Sequence, residues 1–146
     1  MRKVDLLDEL RSEIGVFSDK CEDQIGHLYQ FVCDCLQKRM SGYKWVSIYL
    51  VQDFSFSLSY QMGETSLPKK IPFGEGLMSV AAARGSMVRE RLAEQVEVYM
   101  PFYRAHHLIG VLVVVAKQED VIDEEDITLF MELASLFETK VGKHHS

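Results

Sequence analysis

Two glycines one residue apart, Gly74-Glu75-Gly76, stand between the extended run Lys70-Ile71-Pro72-Phe73 and the Ala-rich stretch Leu77 to Arg84. A tight strand-to-helix turn of this kind leaves the backbone N–H groups of Gly76, Leu77 and Met78 at a helix start, where orphan donors and the helix dipole can hold an anion. A Gly-x-Gly pair also serves any tight connection, so it specifies a geometry before it specifies a ligand. Trp45, Tyr49, Tyr60, Phe73 and Tyr99, together with Met78, are the side chains able to wall a pocket in front of that turn. Aromatics alternating along strands equally make plain core. Glu75 is the one acid within the turn itself.

Other chemistry is harder to assemble. The three cysteines, Cys21, Cys33 and Cys35, form no even disulfide set. On a helix Cys33 and Cys35 diverge by about 200°, so they cannot share a tetrahedral ion. His106-His107 falls in an expected hairpin loop without a third ligand, and His27, His144 and His145 read as surface histidines. The acidic run Asp123-Glu124-Glu125-Asp126 is accounted for by a helix N-terminus. There is no phosphate-binding loop and no nucleophile elbow. Neither metal nor cofactor is expected.

The elements that must position these residues follow from periodicity. Val4, Leu7, Leu10, Ile14 and Phe17 draw one apolar stripe on a helix over 3–18. A second helix is expected from just after Ser18 or Asp19 to about Arg39, carrying Ile25, Leu28, Tyr29, Val32, Cys35 and Leu36. From Tyr43 the period becomes two, with apolar residues on both faces, as a central strand covered on both sides requires. Phe54, Phe56, Leu58 and Tyr60 then share one face of the next strand, opposite Ser55, Ser57 and Ser59. A loop around Gly63 to Pro68 leads to the Gly-x-Gly turn and a helix from about Leu77, capped by Gly85. Strands are expected at Met87–Arg89, Val96–Phe102 and Leu108–Ala116, with Arg104 to His107 as the last hairpin loop. The closing helix runs to about Val141, and 142–146 reads as a frayed tail.

The 146 residues suit one core, with 47% hydrophobic and 26% charged residues. A formal net charge of −6 argues against binding a phosphate backbone, so no nucleic-acid partner is expected. No apolar run reaches the ~20 residues of a membrane span, and acids follow the first basic pair at once. No membrane partner is expected, and the cytoplasm is the expected location.

The stretch Ile71 to Gly85, read with Pro101-Phe102 and the run Leu108 to Val115, resembles the GAF domain, a small sensory and regulatory module, over roughly 20–141. The resemblance implies an α+β fold: an antiparallel sheet of five or six strands with N- and C-terminal helices on one face. It implies a ligand on the opposite face, under a lid made by the helix after the glycine motif and the connection before the Pro-containing strand. That connection, about Glu90 to Gln95, is short, which implies a small, shallow pocket or none. One enzyme lineage of the family, the free methionine-R-sulfoxide reductases, carries Gly-x-Gly-Val-Cys-Gly; the matching positions are Gly74, Gly76, Leu77, Met78 and Ser79, with methionine in place of the cysteine. The resemblance therefore implies a non-catalytic regulatory domain that senses a small metabolite or an anion such as nitrate, or docks on a signalling partner such as a histidine kinase. It also implies a homodimer, with 1–19 as the dimer element beside the second and last helices. The alternative is a degenerate GAF domain without a pocket, acting as a dimerisation or interaction module.

Overall fold

The computed structural model describes residues 2–22, 24–65, 67–117 and 122–145. Six antiparallel strands, β1 (Tyr43–Gln52), β2 (Ser55–Gly63), β3 (Lys70–Pro72), β4 (Val88–Arg91), β5 (Gln95–Arg104) and β6 (His107–Lys117), form one sheet in the order β3-β2-β1-β6-β5-β4. The three strands richest in β-branched residues take the middle. Along β6 every residue from Gly110 to Ala116 is buried, so both of its faces need a cover. The hairpins are tighter than the sequence suggests. Asp53-Phe54 joins β1 to β2 and Ala105-His106 joins β5 to β6, and all four residues take positive φ, as a two-residue hairpin matched to the strand twist requires.

Two helices pack on one face, α2 (Ile25–Arg39) and α4 (Glu124–His145), and α1 (Lys3–Cys21) packs on both of them. The sheet contributes Val46, Ile48, Val98, Met100, Leu112 and Val114 to this core, and the helices Leu28, Val32, Phe130 and Phe137. The α1 stripe is turned inward as well. Leu7 and Leu10 are 0% exposed and Ile14 1%, packed within the same core, and Phe17 stacks on Phe31 with ring centroids 4.1 Å apart. Each such side chain contributes about 2 kcal/mol of burial to the folding of this chain. The periodicity behind the expected dimer element is thus satisfied inside one chain. α2 starts at Ile25, several residues later than expected, and α4 continues beyond Val141 to His145, with Ser146 outside the described residues.

On the second face lies α3 (Gly76–Arg84), with β3 alongside its start. The core here is smaller, built from Trp45, Tyr49, Phe56, Ile71, Met78, Ala81, Val88, Tyr99, Val111, Val113 and Val115.

The pairing shifts register at three places, at Lys44 in β1, at Ser59 in β2 and at Ile109 in β6, and the shift in β2 re-aims a candidate residue. Ile48 pairs with Tyr60 while Tyr49 pairs with Leu58, so Ser59 is an extra residue in β2. Such a bulge reverses the facing of everything beyond it. Phe56 and Leu58 therefore face the α3 side, whereas Tyr60 and Met62 join the helix-side core, where Tyr60 packs on Tyr29 with ring centroids 5.4 Å apart. Tyr60 is not a wall of the candidate pocket, contrary to the expectation from period two.

A buried polar junction ties the two ends of the helical layer to the sheet. Asp126, 0% exposed in the first turn of α4, accepts hydrogen bonds from Tyr43 Oη, from Lys3 Nζ (2.7 Å) and from the Asp123 amide (3.1 Å). Asp123 in turn caps α4, accepting from the Glu125 amide at 2.9 Å. Burial works against the Lys3 ammonium, but its hydrogen bond to Asp126 and the fields of Asp126 and Asp123 raise its pKa above the ordinary 10.5. Against the effect of burial, hydrogen bonds with Asp126 and the Glu125 amide hold the Asp123 carboxyl below its ordinary 3.8.

Removing the buried acceptor leaves the Tyr43 hydroxyl and Lys3 without it, so Asp126→Ala is expected to lower stability by about 3 kcal/mol in urea unfolding at unchanged m-value. Lys3 is raised in the folded state, so its contribution is complete below 10.5 and fades as pH rises above that value; Asp123 is lowered, so its contribution is complete above 3.8 and fades in acid. The thermal-midpoint difference between wild type and Lys3→Met should accordingly hold steady at neutral pH and shrink above 10.5.

Candidate functional site

The turn ahead of α3 is held by one side chain. Ser79 Oγ donates to the Glu75 carbonyl (2.6 Å) and accepts from the Gly74 amide (3.0 Å), folding the turn back on the first turn of the helix. Gly74 and Gly76 take φ of +94° and +71°, which L-residues adopt with strain. A Cβ on Gly74 would meet nothing within 4 Å, so the requirement at this motif is conformational and not one of close approach. Glu75, the N-cap of α3, makes no side-chain capping bond, and the first-turn amides keep that side open.

Between β3, the start of α3 and β5 lies a cleft of ≈ 370 Å³. Its walls are Leu67, Pro68, Ile71, Pro72, Leu77 and Met78, and Tyr99 also lines it. Two exposed charges of opposite sign, Lys70 and Glu75, join this otherwise apolar lining. A small pocket with a few polar groups at one end is the usual form of a small-molecule site. The lid is short: β4 and β5 are longer than expected, and only 92–94 connect them, closed by a hydrogen bond from the Leu92 amide to the Gln95 carbonyl (2.8 Å).

Of the candidate residues, Gly76, Leu77, Met78 and Tyr99 come together around this cleft. Phe73, 42% exposed, turns to a separate apolar groove of ≈ 280 Å³ on the other side of the glycine turn. Trp45 and Tyr49 are fully buried in the core of the same face and pack edge to face at 6.1 Å. Their polar tips are satisfied within the chain: Trp45 Nε1 donates to Gln61 Oε1 (2.9 Å) and Tyr49 Oη to the Pro68 carbonyl (2.6 Å). Burial pushes the Tyr49 hydroxyl up to about 12.

Two polar groups on this face escaped the sequence reading. Glu97, 6% exposed, accepts from Tyr99 Oη (2.6 Å) and from Gln95 Nε2 (2.7 Å). Burial, followed by the hydrogen bond to Glu97, pushes the Tyr99 hydroxyl well above its ordinary value. A lone acid in the apolar run Val96-Glu97-Val98-Tyr99 was the available signal, because period two puts it on the Tyr99 face. Ser47 lies between Trp45 and Tyr49 on β1, fully buried, and its Oγ has no hydrogen-bond partner.

The sulfurs are elsewhere. Cys21 ends α1, and Cys33 and Cys35 sit on α2, across the sheet from the cleft. Burial raises both α2 thiols, Cys33 strongly and Cys35 to about 11, which leaves little thiolate at neutral pH. Among the described residues no group of His, Cys, Asp and Glu has the arrangement of a metal site.

No family model and no curated protein matches the chain. Solved structures do. The chain is similar to the free methionine-R-sulfoxide reductase of Neisseria meningitidis in complex with its substrate (TM-score 0.86, 22% identity, covering 99% of this chain and 93% of that one). It is similar to a putative GAF sensor protein of Burkholderia vietnamiensis (TM-score 0.83, 18% identity, 99% and 94% covered). It is also similar to the GAF domain of a phosphoenolpyruvate-protein phosphotransferase of Coxiella burnetii (TM-score 0.82, 14% identity, 99% and 97% covered). The chain has the GAF-like α+β fold that these proteins share.

Because Trp45 fills core behind the cleft, Trp45→Ala should cost about 3–5 kcal/mol in urea unfolding. Ser47→Ala removes a buried hydroxyl without a partner, and should leave the thermal midpoint of the ligand-free protein unchanged or raise it.

Proposed function

We propose that this protein is a non-catalytic regulatory domain that senses a small molecule in the cleft between β3, α3 and β5. The observation that carries the reading is the separation of the cleft from reactive chemistry. Apolar walls, the start of α3 and two opposed charges surround it, while all three cysteines lie beyond the sheet on α1 and α2. Met78, 1% exposed, lines the cleft where the resembling reductases carry a cysteine, and a thioether has no thiolate to offer. A ligand that fits has a compact apolar body and a polar or anionic end directed at Lys70 and the α3 amides. Its binding shifts the position of α3, and through it any signalling partner such as a histidine kinase, only to the extent that it favours one arrangement over another.

The second reading is a pocketless interaction module. It is supported by Trp45, Tyr49 and Tyr99, whose polar tips all bond within the chain and leave nothing on the sheet for a ligand to satisfy except Ser47.

Thermal-shift titration with nitrate, sulfate and short carboxylic and amino acids at millimolar concentration separates the two. The sensor reading expects a saturable rise for at least one class, lost in Leu77→Trp, whose indole fills the cleft. The module reading expects no rise in either protein. Incubation with free methionine-R-sulfoxide and a dithiol reductant should release no methionine; turnover would refute the non-catalytic assignment.

A further inference from the structure

Phe54 sits at the second position of the β1–β2 turn with φ +59° and is 83% exposed. Both facts run against folding. A bulky side chain at positive φ is strained, glycine or asparagine is the residue that such a turn prefers, and an aromatic ring in water contributes nothing to the core. The ring does not stand alone. It packs edge to face on Phe73 at 6.4 Å, Phe73 packs on Phe56 at 4.9 Å, and the Phe73 amide donates to the Phe54 carbonyl (3.0 Å). Behind this ridge lies the apolar groove of ≈ 280 Å³ between Phe73, Leu108 and the Ala82-Ala83 side of α3. A projecting ring and a groove large enough to take one therefore share one surface of the chain.

The same surface carries charge of both signs. Exposed Asp53 precedes Phe54 on the ridge, and exposed Arg84 follows Ala83, which lines the groove. A two-fold pairing that seats each Phe54 in the groove opposite brings Asp53 of one copy toward Arg84 of the other. The hairpin accounts for the positive φ, and the exposed ring is the part that a contact outside the fold can use. The net charge of −6 disfavours an anionic lipid surface as the occupant.

We propose that the Phe54–Phe73 ridge and its groove form a self-complementary interface, occupied by the same surface of a second copy of this chain. The helical layer offers a smaller groove, ≈ 160 Å³ between α1 and α4, and no projecting aromatic ring among the described residues: the stripe on α1 is buried in its own core, and Val16 and Met131 are its exposed large apolar residues. This interface is independent of the ligand reading, since the groove and the cleft lie on opposite sides of the glycine turn.

Sedimentation equilibrium of the whole chain, in wild type and variants, tests it. The wild type should be a dimer in the micromolar range. Phe54→Gly should be monomeric there and yet unfold about 3 °C higher than wild type when both are dilute enough to be monomers, because glycine relieves the turn. Arg84→Glu should weaken the dimer at least tenfold, and Asp53→Arg combined with Arg84→Glu should restore it. Met131→Glu on the helical face should leave it intact. A wild type that stays monomeric at every concentration, a Phe54→Gly protein that still dimerises, a charge reversal without rescue, or dissociation by Met131→Glu would each overturn the proposal.

Discussion

The sheet is apolar on both faces, and the chain devotes very unequal lengths to covering them. β6 is buried through Ala116 on either side, so neither face tolerates water. On one face α2 and α4 pack on the sheet, and α1 packs on α2 and α4. The other receives the nine residues of α3, beside the edge strand β3, and the β4–β5 connection, 92–94, is three residues long. Large aromatics compensate where the cover is thin: Trp45, Tyr49, Phe56 and Tyr99 fill space that a longer lid would otherwise occupy. The cleft is what remains uncovered at the edge of that arrangement.

This imbalance also decides where selectivity can reside. The hydroxyls of Tyr49 and Tyr99 and the indole of Trp45 already have partners in the chain, so the core behind the cleft, and Tyr99 in its lining, have little hydrogen bonding to offer. For a ligand in the proposed site, recognition would fall to the rim, to Lys70, Glu75 and the first turn of α3. Buried Glu97 holds the hydroxyl of Tyr99, which lines the cleft.

Much of this architecture was legible because long periodic segments report their own burial. The stripe of α1, the double-faced apolar run of β6 and the glycine turn before α3 fall where the residues place them. What was not legible depended on interactions between segments. The facing of Tyr60 is reversed by the bulge at Ser59, which pairing creates and alternation cannot reveal. The α1 stripe called for a partner without saying whether it lay in the same chain, and α2 and α4 supply it. Trp45 and Phe73 were candidate walls by residue type, but the fold buries the first behind the cleft and turns the second to a different groove. Ser47 escaped notice because a serine among aromatics has no periodic signature; only packing makes its hydroxyl an orphan.

The claim at the centre of this account is that the thinly covered face holds a ligand site. Native mass spectrometry tests it most directly, using wild type and Leu77→Trp, each mixed with the small-molecule fraction of a cell extract. The account predicts one discrete small-molecule adduct per chain in the wild type and none in Leu77→Trp. Identical spectra for the two proteins, whether both bare or both loaded, would contradict it.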